Sequence, residues 1–192
     1  CIHHNRNAND GFAVNAQVDT LPLLGLTGSD IYSTLTDEKV IDGDLFVVPV
    51  TPAFAAGTHN ELLCSPRIDN LTSAYSSLVA LIKAAPKAIN VCYIADNEEV
   101  GSATKQGAGS TFLHDVLKRI TAALGKSDEY ITALANSFIL SDDNAHALHP
   151  NHPELSDPTN KVLLGKGVVI KHHANQNYTT DGFSSAIVKG VF

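Results

Sequence analysis

Three places in this sequence carry side chains able to do acid, base or metal chemistry. Asp69 stands at the start of a segment with helical periodicity. Glu98 and Glu99 follow a short apolar run at 89–95, and Asp143 follows another at 137–140. In open α/β sheets, ligands bind outside the carboxyl ends of the strands, so these four carboxylates could meet at one rim. Carboxylates brought within a few ångströms of each other repel, and either protons or cations relieve the repulsion. Divalent metal is the simpler answer. One carboxylate bridging two ions roughly 3.5–4 Å apart, with others as terminal ligands, is how hydrolytic two-metal sites turn water into a nucleophile near neutral pH. Consecutive residues at the end of an extended strand point in different directions, so one of Glu98 and Glu99 could hold metal while the other takes a proton from water and passes it to a leaving amine. Acidic pairs at strand ends are more often solvated turn residues, and context has to decide.

The histidines and cysteines add less. His146 lies three residues after Asp143, so on a helical turn the two would face the same way and a ligand role stays open. His149 and His152 sit in a proline-rich loop, His172 and His173 flank a strand end, and His114 lies beside Asp115 on a helix, where a surface position is expected. Cys1, Cys64 and Cys92 are too few and too scattered for a disulfide framework or a Cys-x-x-Cys metal knuckle, which suits a reducing compartment and makes cytoplasm the expectation.

The elements that must position these groups follow from periodicity. Residues 70–85 place Leu71, Ala74, Tyr75, Leu78, Val79 and Ile82 on one helical face, with Asp69 before it and Pro86 after it. The run 89–95 reads as a strand buried on both faces. A glycine-rich loop, 101–109, leads into a second helix at 111–124, with Ser110 as N-cap and Gly125 as its stop. Further strands are expected at 137–140 and 168–171, and a helix begins at Ser184 and runs into the end of the chain. The alternation of helix and strand from residue 65 onward marks an α/β layer with a mainly parallel sheet flanked by helices. Residues 1–60 read differently, as short strands and turns, with 12–18 and 44–50 as strand candidates. The boundary between the two parts is placed at 57–66.

Composition bounds the function. A chain of 192 residues, 44% hydrophobic and 17% charged, can bury a sizeable core, and no apolar run approaches the roughly 18 residues of a membrane span. A formal net charge of −7 argues against a phosphate-backbone partner, so neither nucleic acid nor membrane is expected. The sequence contains no Met and starts with Cys1, from which we expect a piece of a longer product.

Three stretches, taken in order, carry a specific resemblance: Ser65-Pro-Arg-Ile-Asp-Asn-Leu-Thr72; Asp96-Asn-Glu-Glu-Val-Gly-Ser102 with Gln106-Gly-Ala-Gly-Ser110; and Asp143-Asn-Ala-His-Ala-Leu-His-Pro-Asn151. In these separations the chain resembles the aspartyl aminopeptidase family of dinuclear zinc exopeptidases. The likeness covers most of 65–192, as part of an α/β metallopeptidase catalytic domain. Residues 1–60 resemble, more loosely, part of that family's β-rich inserted dimerisation domain. The resemblance implies that Asp69 bridges two metals, that Glu99 and Asp143 are terminal ligands, and that Glu98 is the general base. It places His146 beside the site and Lys171 and Tyr178 in the substrate-contacting segment, where a cation would suit an acidic side chain. The family's other two ligands are histidines in motifs that lie before and after this sequence. His3, in Ile2-His3-His4-Asn5-Arg6, resembles a histidine that reaches a neighbouring subunit's active site, which implies a homo-oligomer. Zinc is the implied metal, and oxygen-rich ligation would also accept Mn or Co. Two positions depart from the family pattern: Asn177, where an arginine is common, and Asp142, where a small neutral residue is usual.

The expectation is therefore a metal-dependent aminopeptidase that releases N-terminal residues, acidic ones foremost, from peptides. Two rivals use the same residues. A catalytically inactive assembly piece would need no complete ligand set. A metal-free acid/base pair, Glu98 with Asp69 or Asp143, would serve glycoside hydrolysis at carboxyl separations of roughly 5–9 Å. The 101–110 loop lacks the lysine of a phosphate-binding loop, so its glycines are read as allowing tight turns beside a metal site.

Overall fold

The computed structural model describes residues 3–26, 28 and 30–192. The chain divides into two compact units, 1–64 and 65–192. In the first, Asp30 caps the short helix α1 (Ile31–Leu35) by accepting from the backbone amides of Tyr32 and Ser33. Strands β1 (Phe54–Ala56) and β2 (Leu62–Cys64) pair antiparallel, with Phe54 opposite Cys64 and Ala56 opposite Leu62. The strands expected at 12–18 and 44–50 are not formed.

In the second unit, helix α2 (Ile68–Lys83) contains a break. Asp69 (φ −82°, ψ 112°) and Asn70 (φ −123°, ψ 35°) are not helical, so regular helix begins after Asn70 and Asp69 projects from irregular backbone. The Asp69–Asn70 peptide is cis. Helix α3 (Phe112–Ala123) follows the glycine-rich loop and ends at Gly125, whose φ of +72° only glycine adopts without penalty. Ser110 Oγ accepts from the Phe112 amide at 3.3 Å, although Thr111 is the boundary residue. A 3₁₀ turn, Ser127–Glu129, leads to helix α4 (Tyr130–Ala135), which periodicity had not marked. Tyr130 packs edge-on against His114 of α3, with ring centroids 5.5 Å apart, and is the one large apolar side chain buried among the described residues. Helix α5 (Gly182–Lys189) starts with a capping box between Asp181 and Ser184. It ends with the Gly190 amide donating to Ala186, two residues earlier than the end of the chain.

The mainly parallel sheet is not seen: among the described residues the one ladder is β1–β2. The runs 89–95, 137–140 and 168–171 carry no ladder. A helix closes its hydrogen bonds within itself, whereas a strand needs a neighbour about 4.8 Å away. Among the described residues no ladder pairs any segment with these three runs. The same holds for packing. Leu71, Tyr75, Leu78 and Ile82, the stripe expected to be buried, are exposed, while Ala74 and Val79 beside them are half-buried.

Candidate functional site

Asp69 and Asp143 are held together by a polar seam between the start of α2 and the segment 142–144. Asn144 Nδ2 donates to the Ile68 carbonyl at 2.7 Å, and its Oδ1 accepts from Thr72 Oγ1 at 2.9 Å. Asn70 Nδ2 donates to the Asp142 carbonyl at 3.1 Å. The Asp142 carboxylate accepts from Ser76 and Ser77, each at 3.2 Å. The additional charge beside Asp143 is thus taken up by hydroxyls of α2 and does not face the neighbouring carboxylates. Every bond in the seam joins residues more than 60 positions apart, which is why sequence reading missed it. The available signal was the polar set Ser73, Ser76 and Ser77 interrupting an otherwise apolar helix.

Lys171 completes this cluster. Its Nζ donates to Asp143 Oδ2 at 2.6 Å and to the Asn144 carbonyl at 2.8 Å, and lies 5.9 Å from the centroid of the Tyr178 ring. The Asp143 carboxyl is held below its ordinary range, first by the Lys171 hydrogen bond. Partial burial works against this lowering, and the Lys171 charge, the Asn144 amide and the Asp69 side chain add to it. Tyr178 also meets His173 edge-on at 5.6 Å.

Glu98 and Glu99 occupy a different place. They form a one-turn 3₁₀ helix (Glu98–Val100) and not a strand end. With three residues per turn their side chains still diverge, by about 120°, so adjacent glutamates keep separate directions by another route. The loop that holds them closes on itself. The Asp96 amide donates to Gln106, Ser102 to Asn97 and Gly109 to Ser102, each at 3.0 Å, and Asn97 Nδ2 donates to Thr104 Oγ1 at 2.9 Å. Asn97 and Ser102 both take left-handed φ of 59°, which asparagine tolerates well and serine less so. Gly107 is buried under this turn: a Cβ there would run into the Ser102 carbonyl. Tyr93 OH donates to the Gly107 carbonyl at 3.2 Å, and its ring stacks on Phe112.

The structure therefore brings together Asp69, Asp143, Lys171 and Tyr178, and separately Glu98 with Glu99. It forms no group of three or more His, Cys, Asp or Glu side chains set to hold a metal among the described residues. His146 is exposed, on a stretch that is not helical, so the helical-turn argument linking it to Asp143 does not apply. His3 is exposed in the first unit. His114 is on the surface as expected, with Nδ1 3.0 Å from Asp115. As a seat for a divalent cation, Asp69 and Asp143 fit in donor chemistry, since both are oxygen donors and a cation, the Lys171 ammonium, already sits on Asp143. The fit extends to these two residues.

Comparison with known proteins agrees with the motifs. The chain is 43% identical over 204 residues to "Probable M18 family aminopeptidase 2" of Clostridium novyi, covering 99% of this chain and 47% of that protein. It is 31% identical over 225 residues to "Aspartyl aminopeptidase 1" of Schizosaccharomyces pombe, covering 99% and 48%. It thus spans about half the length of the curated relatives it matches. Among solved structures, a chain of the Ape4 and Nbr1 complex, determined by cryo-EM, superposes with a TM-score of 0.71 at 30% identity, covering 100% of this chain and 43% of that one. The family profile described as "Aminopeptidase I zinc metalloprotease (M18)" matches residues 31–192, and the chain belongs to that family.

Proposed function

We propose that this chain forms part of a metal-dependent aminopeptidase that releases N-terminal residues, acidic ones foremost, from peptides. The observation that supports it most is the seam that brings Asp69 and Asp143 together in a member of a zinc metalloprotease family. In this reading Asp69 would be shared by two divalent ions, zinc foremost with Mn or Co acceptable, and Glu99 and Asp143 would be the further ligands that this chain supplies. Bound zinc supplies Lewis-acid chemistry, activating water and polarising the scissile carbonyl. Glu98, beside a ligand but pointing elsewhere, takes the proton from water and hands it to the leaving amine. Lys171 and Tyr178 contact the substrate's first side chain, with His146 alongside. The preference for acidic residues draws on the name of the Schizosaccharomyces pombe relative and on the cation at Lys171.

The finer architecture belongs to the same proposal. Residues 65–192 supply part of a catalytic domain with a parallel sheet flanked by helices. Residues 1–60 supply part of a dimerisation insert that carries His3 toward a neighbouring subunit of a cytoplasmic homo-oligomer. The test is release of Asp, Glu and Ala from matched peptides by the full-length protein, before and after chelation and zinc return. Chelator-sensitive release with Asp or Glu favoured is expected, and release indifferent to chelator would overturn the reading. One observation favours a second reading, a catalytically inactive assembly piece: no three metal donors gather among the described residues. Assembled full-length protein without bound metal or peptidase activity would support it.

A further inference from the structure

We propose that Asn97 is a positioning residue for Glu98: its left-handed backbone and its side-chain bond to Thr104 fix the turn on which the glutamate stands. The inference rests on reading Glu98 as the general base.

Between residues 94 and 100 Asn97 alone is half-buried, and its neighbours, Asp96, Glu98 and Glu99 among them, are exposed. Exposed residues gain little direction from packing, so hydrogen bonds must hold the turn. Asn97 supplies them from both its backbone and its side chain. Its carbonyl accepts from the Ser102 amide at 3.0 Å, and its Nδ2 donates to Thr104 Oγ1 at 2.9 Å. The Glu98 carbonyl accepts from the Gly101 amide at 2.8 Å, which closes the 3₁₀ turn directly after it. Thr104 carries the tether further. Its carbonyl accepts from the amide of buried Gly107 at 3.0 Å, and the Gly107 carbonyl accepts from Tyr93 OH, whose ring stacks on Phe112 at the head of α3. One amide side chain thus joins the Glu98 turn to the frame made by Tyr93, Gly107 and Phe112.

The residue type fits this role. At φ 59° and ψ 34° the backbone lies in the left-handed region, which asparagine tolerates better than most side chains. Glycine would reach the same backbone without the donor. Aspartate would reach it too, but it lacks the N–H and would set a further negative charge against Asp96, Glu98 and Glu99. A general base must stand within hydrogen-bond reach of the proton it takes, so a displacement of about 1 Å costs rate without weakening substrate contacts made elsewhere.

The experiment uses the full-length protein at saturating zinc and a peptide with N-terminal Asp. Asn97→Gly keeps the backbone and deletes the tether. Thr104→Val, similar in shape, deletes the acceptor, and Thr104→Ser keeps it. In Asn97→Gly and Thr104→Val kcat is expected to fall about ten- to hundredfold with KM within about twofold, while Thr104→Ser stays within about threefold of wild type. Hydrogen exchange in the 96–110 segment is expected to run about three- to tenfold faster in Asn97→Gly, a readout independent of turnover. With Glu98→Gln still lowering kcat, this inference alone would be overturned by wild-type kcat in Asn97→Gly and Thr104→Val, by a loss carried in KM or shared by Thr104→Ser, or by unchanged exchange. Wild type without turnover, or Glu98→Gln with wild-type kcat, would overturn the general-base reading beneath it.

Discussion

Asn144 donates its side-chain amide to the carbonyl of Ile68 at 2.7 Å, joining the residue after Asp143 to the residue before Asp69 across 76 positions of sequence. The same side chain accepts from Thr72. Asn144→Ala removes both bonds and leaves the Ile68 carbonyl without its partner. It is expected to cost about 1–3 kcal/mol in chemical denaturation. An unchanged midpoint would show that the seam does not hold the two carboxylates.

Gly107 sets the turn that presents Glu98 and Glu99. A methyl group at this position meets the Ser102 carbonyl, and the 96–110 loop has bonds on both sides that resist a shift. Gly107→Ala is expected to destabilise by about 1–3 kcal/mol through overpacking. Peptidase activity should fall by more than the lost stability accounts for, because the glutamates move with the loop. Activity and denaturation midpoint, measured on one preparation, check this together.

How much of this was legible in advance divides along a physical line. Helices α2, α3 and α5 were readable because their hydrogen bonds and stops are local: Gly125 and Pro86 act within a turn of their own residues, although the Asp181 cap was not read and α5 starts at Gly182, two residues before the expected Ser184. The runs 89–95, 137–140 and 168–171 were read as strands from apolar character alone. A ladder depends on a second segment that periodicity cannot supply, and none pairs with them among the described residues. The site shows the same division. The carboxylates stood out by residue type, and the resemblance gave them roles. Asn144, Asn70 and the α2 serines, which hold two of them together, act across more than 60 residues, and their one local trace was the serines that interrupt the apolar sequence of α2.

Asp157 provides a pH signature. It accepts from the amides of Asn160 and Thr159, and then from their side chains, which together pull its pKa down to about 2. A carboxyl with a folded-state pKa below its unfolded value of 3.8 adds stability that is fully present above 3.8 and is lost as pH falls toward 2. Amide exchange at Thr159 and Asn160 should therefore be slow at pH 5 and speed up below pH 3, beyond the intrinsic pH trend measured in an unfolded peptide. Asp157→Asn should abolish that extra acid dependence.

The two adjacent glutamates should separate by function. Glu98→Gln is expected to lower kcat by about 10²–10⁴ with bound zinc unchanged, as loss of a general base does. Glu99→Gln is expected to lower bound zinc as well. Equal zinc loss in both variants would mean that neither is a proton shuttle distinct from the ligand set.

The central claim is that Asp69 and Asp143 meet in order to hold metal. Zinc bound per chain, measured on full-length Asp69→Asn and wild type after equilibration in the same zinc buffer, tests it most directly. The account predicts that the variant stays folded and loses most of its zinc. A folded Asp69→Asn protein with the full wild-type zinc content would contradict it.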